Sequence, residues 1–235
     1  MEHYTSAIVL SRRDVREHDR LVSLYTEHLG KITALARGVR RPASKMVGHL
    51  EPFALIAVKM VNSKDSYTIS NVETIRRYPE LLEDLSSLRL AQSCLTLADD
   101  LIREGSCDIG VLSLLNKTLA KLADKLVLRD EKKYWTVRFG WQLVAHLGYR
   151  PVLDRCVQCD TDKLDQGLFG LVRGGVVCHA CLAPHDLAID CPTAVRLLLA
   201  VTLQLDSVSE WQAAPELVRT QALQVMSQFV KAVRD

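Results

Sequence analysis

Two CxxC pairs constrain this chain more than anything else in it. Cys156 and Cys159 come first, and Cys178 and Cys181 follow after eighteen intervening residues. Each CxxC forms a tight turn that aims two sulfurs at one cation. Two such turns supply four thiolates at about 2.3 Å and close a tetrahedral zinc shell. A catalytic zinc keeps one position for water, so a complete sulfur shell reads as a structural site. Four reduced core cysteines or two disulfides would use the same residues, but the paired spacing favours a metal. Cys191, ten residues beyond the last knuckle, and His179 and His185 are the available substitutes for one ligand. Cys94 and Cys107 lie in apolar, helical stretches and read as small hydrophobes.

The chain has 235 residues, 48% of them apolar, enough for one large domain or two to three small modules with a buried core. No apolar run reaches the length of a membrane span. The start, with His3, Tyr4 and Arg12 close behind Met1, carries no apolar export segment, which predicts a cytoplasmic protein. The net charge of +2 is unevenly placed. Residues 1–77 hold 13 Lys and Arg against 8 Asp and Glu, residues 78–150 hold 10 against 10, and residues 151–235 hold 7 against 10. A polyanion is therefore the expected partner of the front of the chain.

That front part reads as strands. Short β-branched and apolar runs at Ser6 to Ser11, Arg20 to Thr26, Lys31 to Ala36, Pro52 to Val61 and Ser66 to Ile75 alternate with polar or Gly-bearing turns. Five short strands predict a small barrel of the oligonucleotide-binding (OB-fold) kind. From Pro79 the period changes: Leu81, Leu85, Leu88, Gln92 and Leu95, then Ile109, Leu112, Leu115, Leu119, Leu122 and Leu126, step by three and four as amphipathic helices do. A third helix, Asp130 to Leu147, ends at Gly148 before Pro151. Within the cysteine segment Gly167 to Val177 reads as a hairpin turned by Gly174-Gly175. Helices at Pro192 to Leu205 and Pro215 to Val233 close the chain. The expected class is α+β, with a barrel over 1–78, a helical domain over 79–150 and 190–235, and an inserted zinc-ribbon-like module over 151–189.

Cations gather at two places in the barrel: Arg12, Arg13, Arg16 and Arg20 after the first strand, and Arg37, Arg40, Arg41 and Lys45 in the loop after the third. The first group is interleaved with Asp14, Glu17 and Asp19, and the second contains no acid. Phosphate neutralisation by such groups releases counterions, so binding falls steeply with salt and carries no sequence readout. Rings for stacking are few, with Tyr25 and Tyr67 the candidates among Tyr4, Tyr25, Phe53 and Tyr67. No phosphate-binding Gly loop, HExxH or GxSxG occurs. Paired acids such as Asp99-Asp100 and Glu83-Asp84 fall on helices as surface charge, and they are what a metal-dependent nuclease would have to use. A zinc-ribbon adaptor with incidental nucleic-acid binding is the other reading open at this point.

The stretch from Arg16 to Lys31, followed by Ala36-Arg37-Gly38-Val39-Arg40-Arg41 and Gly48-His49-Leu50-Glu51-Pro52-Phe53, resembles the RecO family of bacterial DNA repair proteins. Arg138-Phe139, His146-Leu147-Gly148-Tyr149, Pro151, the two CxxC pairs and Gly174-Gly175 are similar to that family in order and spacing. The resemblance implies an N-terminal OB barrel, a helical body and a zinc insertion that some members lack. It implies a non-enzymatic recombination mediator, associated with the nucleoid, that binds single- and double-stranded DNA and anneals complementary strands. Its implied partners are RecR, the acidic C-terminal tail of single-stranded DNA-binding protein and, indirectly, RecA. DNA contacts would fall to the two cation groups. The tail would need a cation beside an apolar groove, with Arg138, Lys132 and Lys133 as candidates.

Overall fold

The computed structural model describes residues 1–63, 66–164, 166–204 and 208–234. They form two compact units, Met1–Val127 and Leu128–Asp235.

In the first unit β1 (Glu2–Asp14), β2 (Arg20–Thr26), β3 (Gly30–Ala36), β4 (Leu55–Ser63) and β5 (Ser66–Arg76) close a barrel in the order β1-β2-β3-β5-β4. Neighbours are antiparallel except β3 and β5, which pair in parallel through Ala34–Tyr67 and Leu35–Thr68. β1 closes the barrel by serving two neighbours. Its first half pairs with β4 from Glu2 to Ile8 and its second half with β2 from Ala7 to Asp14. A register shift between Val9 and Ser11 marks the bulge that bends it around the barrel. Alternation does the rest. In β3 the residues Ile32, Ala34 and Ala36 point inward with Val22, Leu24, Ile56, Val58, Met60 and Val72, while Lys31, Thr33 and Leu35 point outward.

The long β3–β4 connection is folded. Val39 and Leu50 are fully buried in the barrel core, and short turns close from Gly38 to Arg41, Arg41 to Ser44 and Met46 to His49. Cations on this segment are held out from an anchored backbone.

The barrel is followed by α1 (Glu80–Glu83), α2 (Leu85–Leu101) and α3 (Ile109–Ala123). The run that begins at Leu81 breaks at Asp84, whose extended backbone and carboxylate, accepting from the N–H groups of Ser86 and Ser87, start a new helix. Leu126 lies beyond α3 and is exposed. Asp99 in α2 ties helix to barrel: its carboxylate accepts from Ser11 and Ser23, both at 2.6 Å, and lies 3.1 Å from the Lys31 ammonium. Burial alone would raise its pKa, but these three partners bring it below the ordinary carboxylate value. Gly30, at φ 65°, has no alternative, since a Cβ there would meet the Ser106 carbonyl oxygen at 2.0 Å.

The second unit holds α4 (Arg129–His146), a three-stranded sheet of β6 (Gln166–Gly170), β7 (Gly175–Val177) and β8 (Ala188–Pro192), and α5 (Thr193–Gln204), α6 (Ser209–Ala213) and α7 (Glu216–Arg234). The Gly174-Gly175 hairpin forms as expected, with Gly174 at φ 68°. Sequence patterning missed β8, which flanks β6 on its other edge, and the short α6. Leu205, read as part of the α5 face, lies outside the described residues, whereas Val195 and Leu198 are buried on that face. Trp141, Phe169 and Phe229 meet at centroid distances of 5.2 to 6.0 Å, so a strand of the cysteine segment shares one core with α4 and α7. The α+β expectation, a five-stranded barrel followed by helices with a cysteine module, is borne out. No helix of the described residues is long and apolar enough to cross a membrane.

Candidate nucleic-acid interface and metal centre

The two cation groups, separated in sequence, come to one rim of the barrel. The β1–β2 turn and the β3–β4 loop are joined by Arg40 N–H donating to the His18 carbonyl at 3.0 Å and by Gly38 N–H donating to the Asp19 carboxylate at 2.7 Å. On that rim the cations divide by partner. Arg20, with only 14% of its side chain exposed, donates from Nε to Asp14 at 2.7 Å and lies 3.8 Å from Glu51. Arg12 bonds Glu51 at 2.6 Å, and Arg40 lies 3.2 Å from the other oxygen of Asp14. The hydrogen bond from Arg20, outweighing an opposing desolvation effect and with the charges of Arg40, Arg20 and Arg12 behind it, holds Asp14 below its ordinary carboxylate value.

Arg37, Arg41 and Lys45 are exposed, and among the described residues no carboxylate comes within ion-pair distance of any of them. Arg13 is exposed in the same way, and Arg16, 77% exposed, only approaches Asp19 at 3.7 Å. Electrostatically, the cations divide into a set compensated by Asp14 and Glu51 and a set without such a partner among the described residues. The rings differ from expectation. Tyr25 is buried, and its hydroxyl both donates to and accepts from the Asp108 backbone at 2.8 and 2.9 Å, so it presents no face for stacking. Tyr67 is half-buried with its ring edge-on to His3. Sequence reading missed Arg76 and Arg77, both exposed at the end of β5, where Arg77 donates to the Gly48 carbonyl at 2.7 Å. Their signal was available as an adjacent pair closing a strand.

In the second unit the four cysteines converge. The Sγ atoms of Cys156, Cys159, Cys178 and Cys181 all lie within 4.8 Å of one another, and no other such ligand group occurs among the described residues. The Cys159–Cys178 separation of 3.8 Å matches the edge of a sulfur tetrahedron with arms of about 2.3 Å, roughly 3.8 Å, and is far too long for a disulfide. Burial disfavours the Cys156 thiolate, but N–H groups of Cys178, Cys159 and Gln158 outweigh it and hold this thiol down to about 6. Cys181, donating to Cys178 and Cys159, is pushed up to about 12, the mark of four sulfurs crowded where only a cation would let all ionise. The donor set therefore fits a metal ion. The knuckle is also stitched to the sheet, Val157 N–H donating to the Val176 carbonyl at 2.9 Å. Cys191 stands apart, buried on β8 opposite Gly167, where burial pushes its thiol up to about 12. His179 and His185 are likewise outside the group.

The cations named on α4 are placed unequally. Arg138 is buried and donates to the Thr202 carbonyl at 2.7 Å, and Lys132 is buried as well. Lys133 is half-exposed, bonds Asp130 at 2.9 Å, and lines a small cavity of about 30 Å³ with Trp211, Arg219 and Leu223.

Comparison with known proteins agrees with this geometry. The family model described as "Recombination protein O N terminal" matches residues 1–78, and "Recombination protein O C terminal" matches residues 82–233. The DNA repair protein RecO of Myxococcus xanthus (strain DK1622) is 29% identical over 232 residues, covering 98% of this chain and 92% of that protein. RecO of Desulforudis audaxviator (strain MP104C) is 30% identical over 204 residues, 86% of this chain and 80% of the relative. RecO of Pelotomaculum thermopropionicum (strain DSM 13744 / JCM 10971 / SI) is 32% identical over 177 residues, 75% and 67% respectively. With both family models spanning nearly its whole length on a barrel and a helical, cysteine-bearing second unit of the expected kinds, the chain belongs to the RecO family.

Proposed function

We propose that the chain is a recombination mediator in DNA repair. It binds single- and double-stranded DNA, anneals complementary strands and, together with RecR, helps load RecA onto DNA coated by single-stranded DNA-binding protein. The observation that carries this reading is the rim set of Arg37, Arg41 and Lys45, exposed on an anchored loop with no carboxylate among the described residues within ion-pair distance. Such cations neutralise phosphates from two backbones at once and lower the repulsion that keeps complementary strands apart. Annealing makes and breaks no covalent bond, so the chain needs no catalytic residue and is not an enzyme in this reading. Its place is the cytoplasm, on the nucleoid.

Cys156, Cys159, Cys178 and Cys181 hold one structural zinc ion. When bound, zinc neutralises the four thiolates and contributes folding free energy to the sheet that carries them. For the acidic tail of single-stranded DNA-binding protein, Lys133 is the accessible cation of the three on α4, with Trp211 and Leu223 as apolar neighbours. Arg138 and Lys132 are buried.

The test is annealing of complementary strands precoated with single-stranded DNA-binding protein. The wild type should accelerate it, and the Arg37→Ala, Arg41→Ala, Lys45→Ala triple variant should lose most of the acceleration. A wild type that leaves the coated strands unannealed overturns the reading. Metal analysis should find one zinc per chain. Cys156→Ser should release it and loosen the β6–β8 sheet while DNA binding persists, and a wild type that contains no zinc removes the metal assignment.

A further inference from the structure

The β3–β4 loop ends in a cavity that the charge argument does not use. Pro52 and Phe53 form one wall, Tyr78, Pro79 and Leu82 the other, and Arg77 stands at the rim, around about 270 Å³. The wall is mostly apolar, and Leu82 is 70% exposed at its mouth, an apolar group without cover. Phe53 lines it at φ 68°, a backbone region that bulky side chains rarely enter and that clusters at ligand sites. The one acid in the lining, Glu51, is already neutralised by Arg12 at 2.6 Å with Arg20 behind it.

Among the described residues no carboxylate comes within ion-pair distance of the two arginines beside this opening, although Glu80, Glu83 and Asp124 share a neighbouring cleft with them. Arg77 reaches the loop backbone at Gly48, and Arg76 lies exposed beside it with its guanidinium 4.9 Å from the Tyr78 ring centre. Arg41 and Lys45 project from the same loop a few residues earlier. A phosphate polymer seated on Arg77 would pass an apolar cavity. A polymer that offers regularly spaced anions and a flat apolar group between them is a single-stranded nucleic acid. A duplex offers only the anions, because its bases remain stacked inside.

We propose that this cavity receives one unstacked base of a single strand, whose flanking phosphates sit on Arg77 and the loop cations. The assignment rests on the DNA-binding reading above and adds strand preference to it: charge alone serves either form of DNA, and the cavity favours the single strand.

The experiment measures affinity of the full chain for three probes: a short mixed-sequence single strand, the same strand made abasic throughout, and the corresponding duplex. Phosphate count is equal in the first two. The wild type should bind the parent strand at least about fivefold more tightly than the abasic one, the effect expected of one base seated on a ring or apolar wall. Leu82→Ser, at an exposed position, should fold normally and lower parent-strand affinity toward the abasic level, with duplex affinity unchanged. Phe53→Asn, which tolerates the positive φ, should do the same. Equal binding of parent and abasic strands by the wild type overturns the cavity assignment and leaves the cation reading standing. Failure to bind any of the three probes at low salt overturns both. Undiminished discrimination in Leu82→Ser and Phe53→Asn alike also removes the cavity.

Discussion

Arg20 and Arg41 sit on the same rim of the same barrel, yet they have opposite surroundings. Arg20 is largely buried against Asp14 and Glu51, and Arg12 and Arg40 share those two carboxylates with it. Arg41, with Arg37 and Lys45, is exposed, and among the described residues no carboxylate comes within ion-pair distance of the three. The two groups look alike as runs of positive residues. What separates them is the fold, which brings Asp14 at the end of β1 and Glu51 late in the β3–β4 loop within reach of Arg12, Arg20 and Arg40 and, among the described residues, of none of Arg37, Arg41 and Lys45. Cations compensated by carboxylates stabilise the barrel's end, and uncompensated ones are available to a polyanion.

The contrast is broken most directly by removing the bare set. The Arg37→Ala, Arg41→Ala, Lys45→Ala variant should lose DNA affinity by an order of magnitude or more at low salt. Its plot of log affinity against log salt should flatten by about two to three, since each phosphate contact contributes roughly 0.7 to 0.9 to the slope. Thermal stability should be unchanged, as none of the three holds a neighbour in place. An unaltered slope would mean that the loop lies outside the interface and that the contrast has no functional content.

Removing a cation from the compensated set should give the reverse pattern. Arg20→Ala should lower the unfolding midpoint by about 3 °C, the shift that roughly 1 kcal/mol produces in a chain of this size, and leave the salt slope of DNA binding intact. Its pH dependence identifies the partner. Asp14 has a folded pKa below its ordinary value of 3.8, so the ion pair's contribution is fully present above that value and is lost as pH falls through the lowered one. The stability gap between wild type and Arg20→Ala should therefore narrow in that acid range and stay constant between pH 5 and 8. A gap that persists in acid would assign Arg20's role to packing of its stem alone.

How far these differences could be read from sequence depends on the range of the interaction. The second strand was legible from Arg20 to Thr26, because the short apolar run that makes it is local. The CxxC pairs were legible as a metal site because ligand spacing is itself local, and the four sulfurs do converge. Asp99 read as one of two surface acids on a helix, since nothing nearby in sequence announces that Ser11, Ser23 and Lys31 will meet it from three strands. Arg40 was grouped with Arg41 for the same reason: the carboxylate that claims it is twenty-six residues earlier in the chain. β8 escaped notice because a strand of five residues containing an acid and ending in proline has little periodicity, and its pairing with β6 is tertiary. Arg138 is a candidate for the acidic tail through the resemblance alone, and its burial against the Thr202 carbonyl, a long way along the chain, has no local signal.

Arg40 also gives the smallest test of the contrast, because it stands on the border between the two groups. Its side chain is 40% exposed, its ion pair is with Asp14 alone among the described residues, and its backbone N–H is fixed to His18 whatever its charge does. Asp14→Asn removes the competing charge while its amide oxygen can still accept from Arg20. Arg40 should then join the bare set, raising DNA affinity about twofold at low salt and steepening the salt slope by up to one contact's worth, roughly 0.7 to 0.9. The same substitution in an Arg40→Ala background should leave both quantities where Arg40→Ala alone puts them, since the cation to be released is gone. If Asp14→Asn weakens binding instead, the acid is organising the rim for its ligand, and compensated and uncompensated cations would have to be regarded as one cooperative surface.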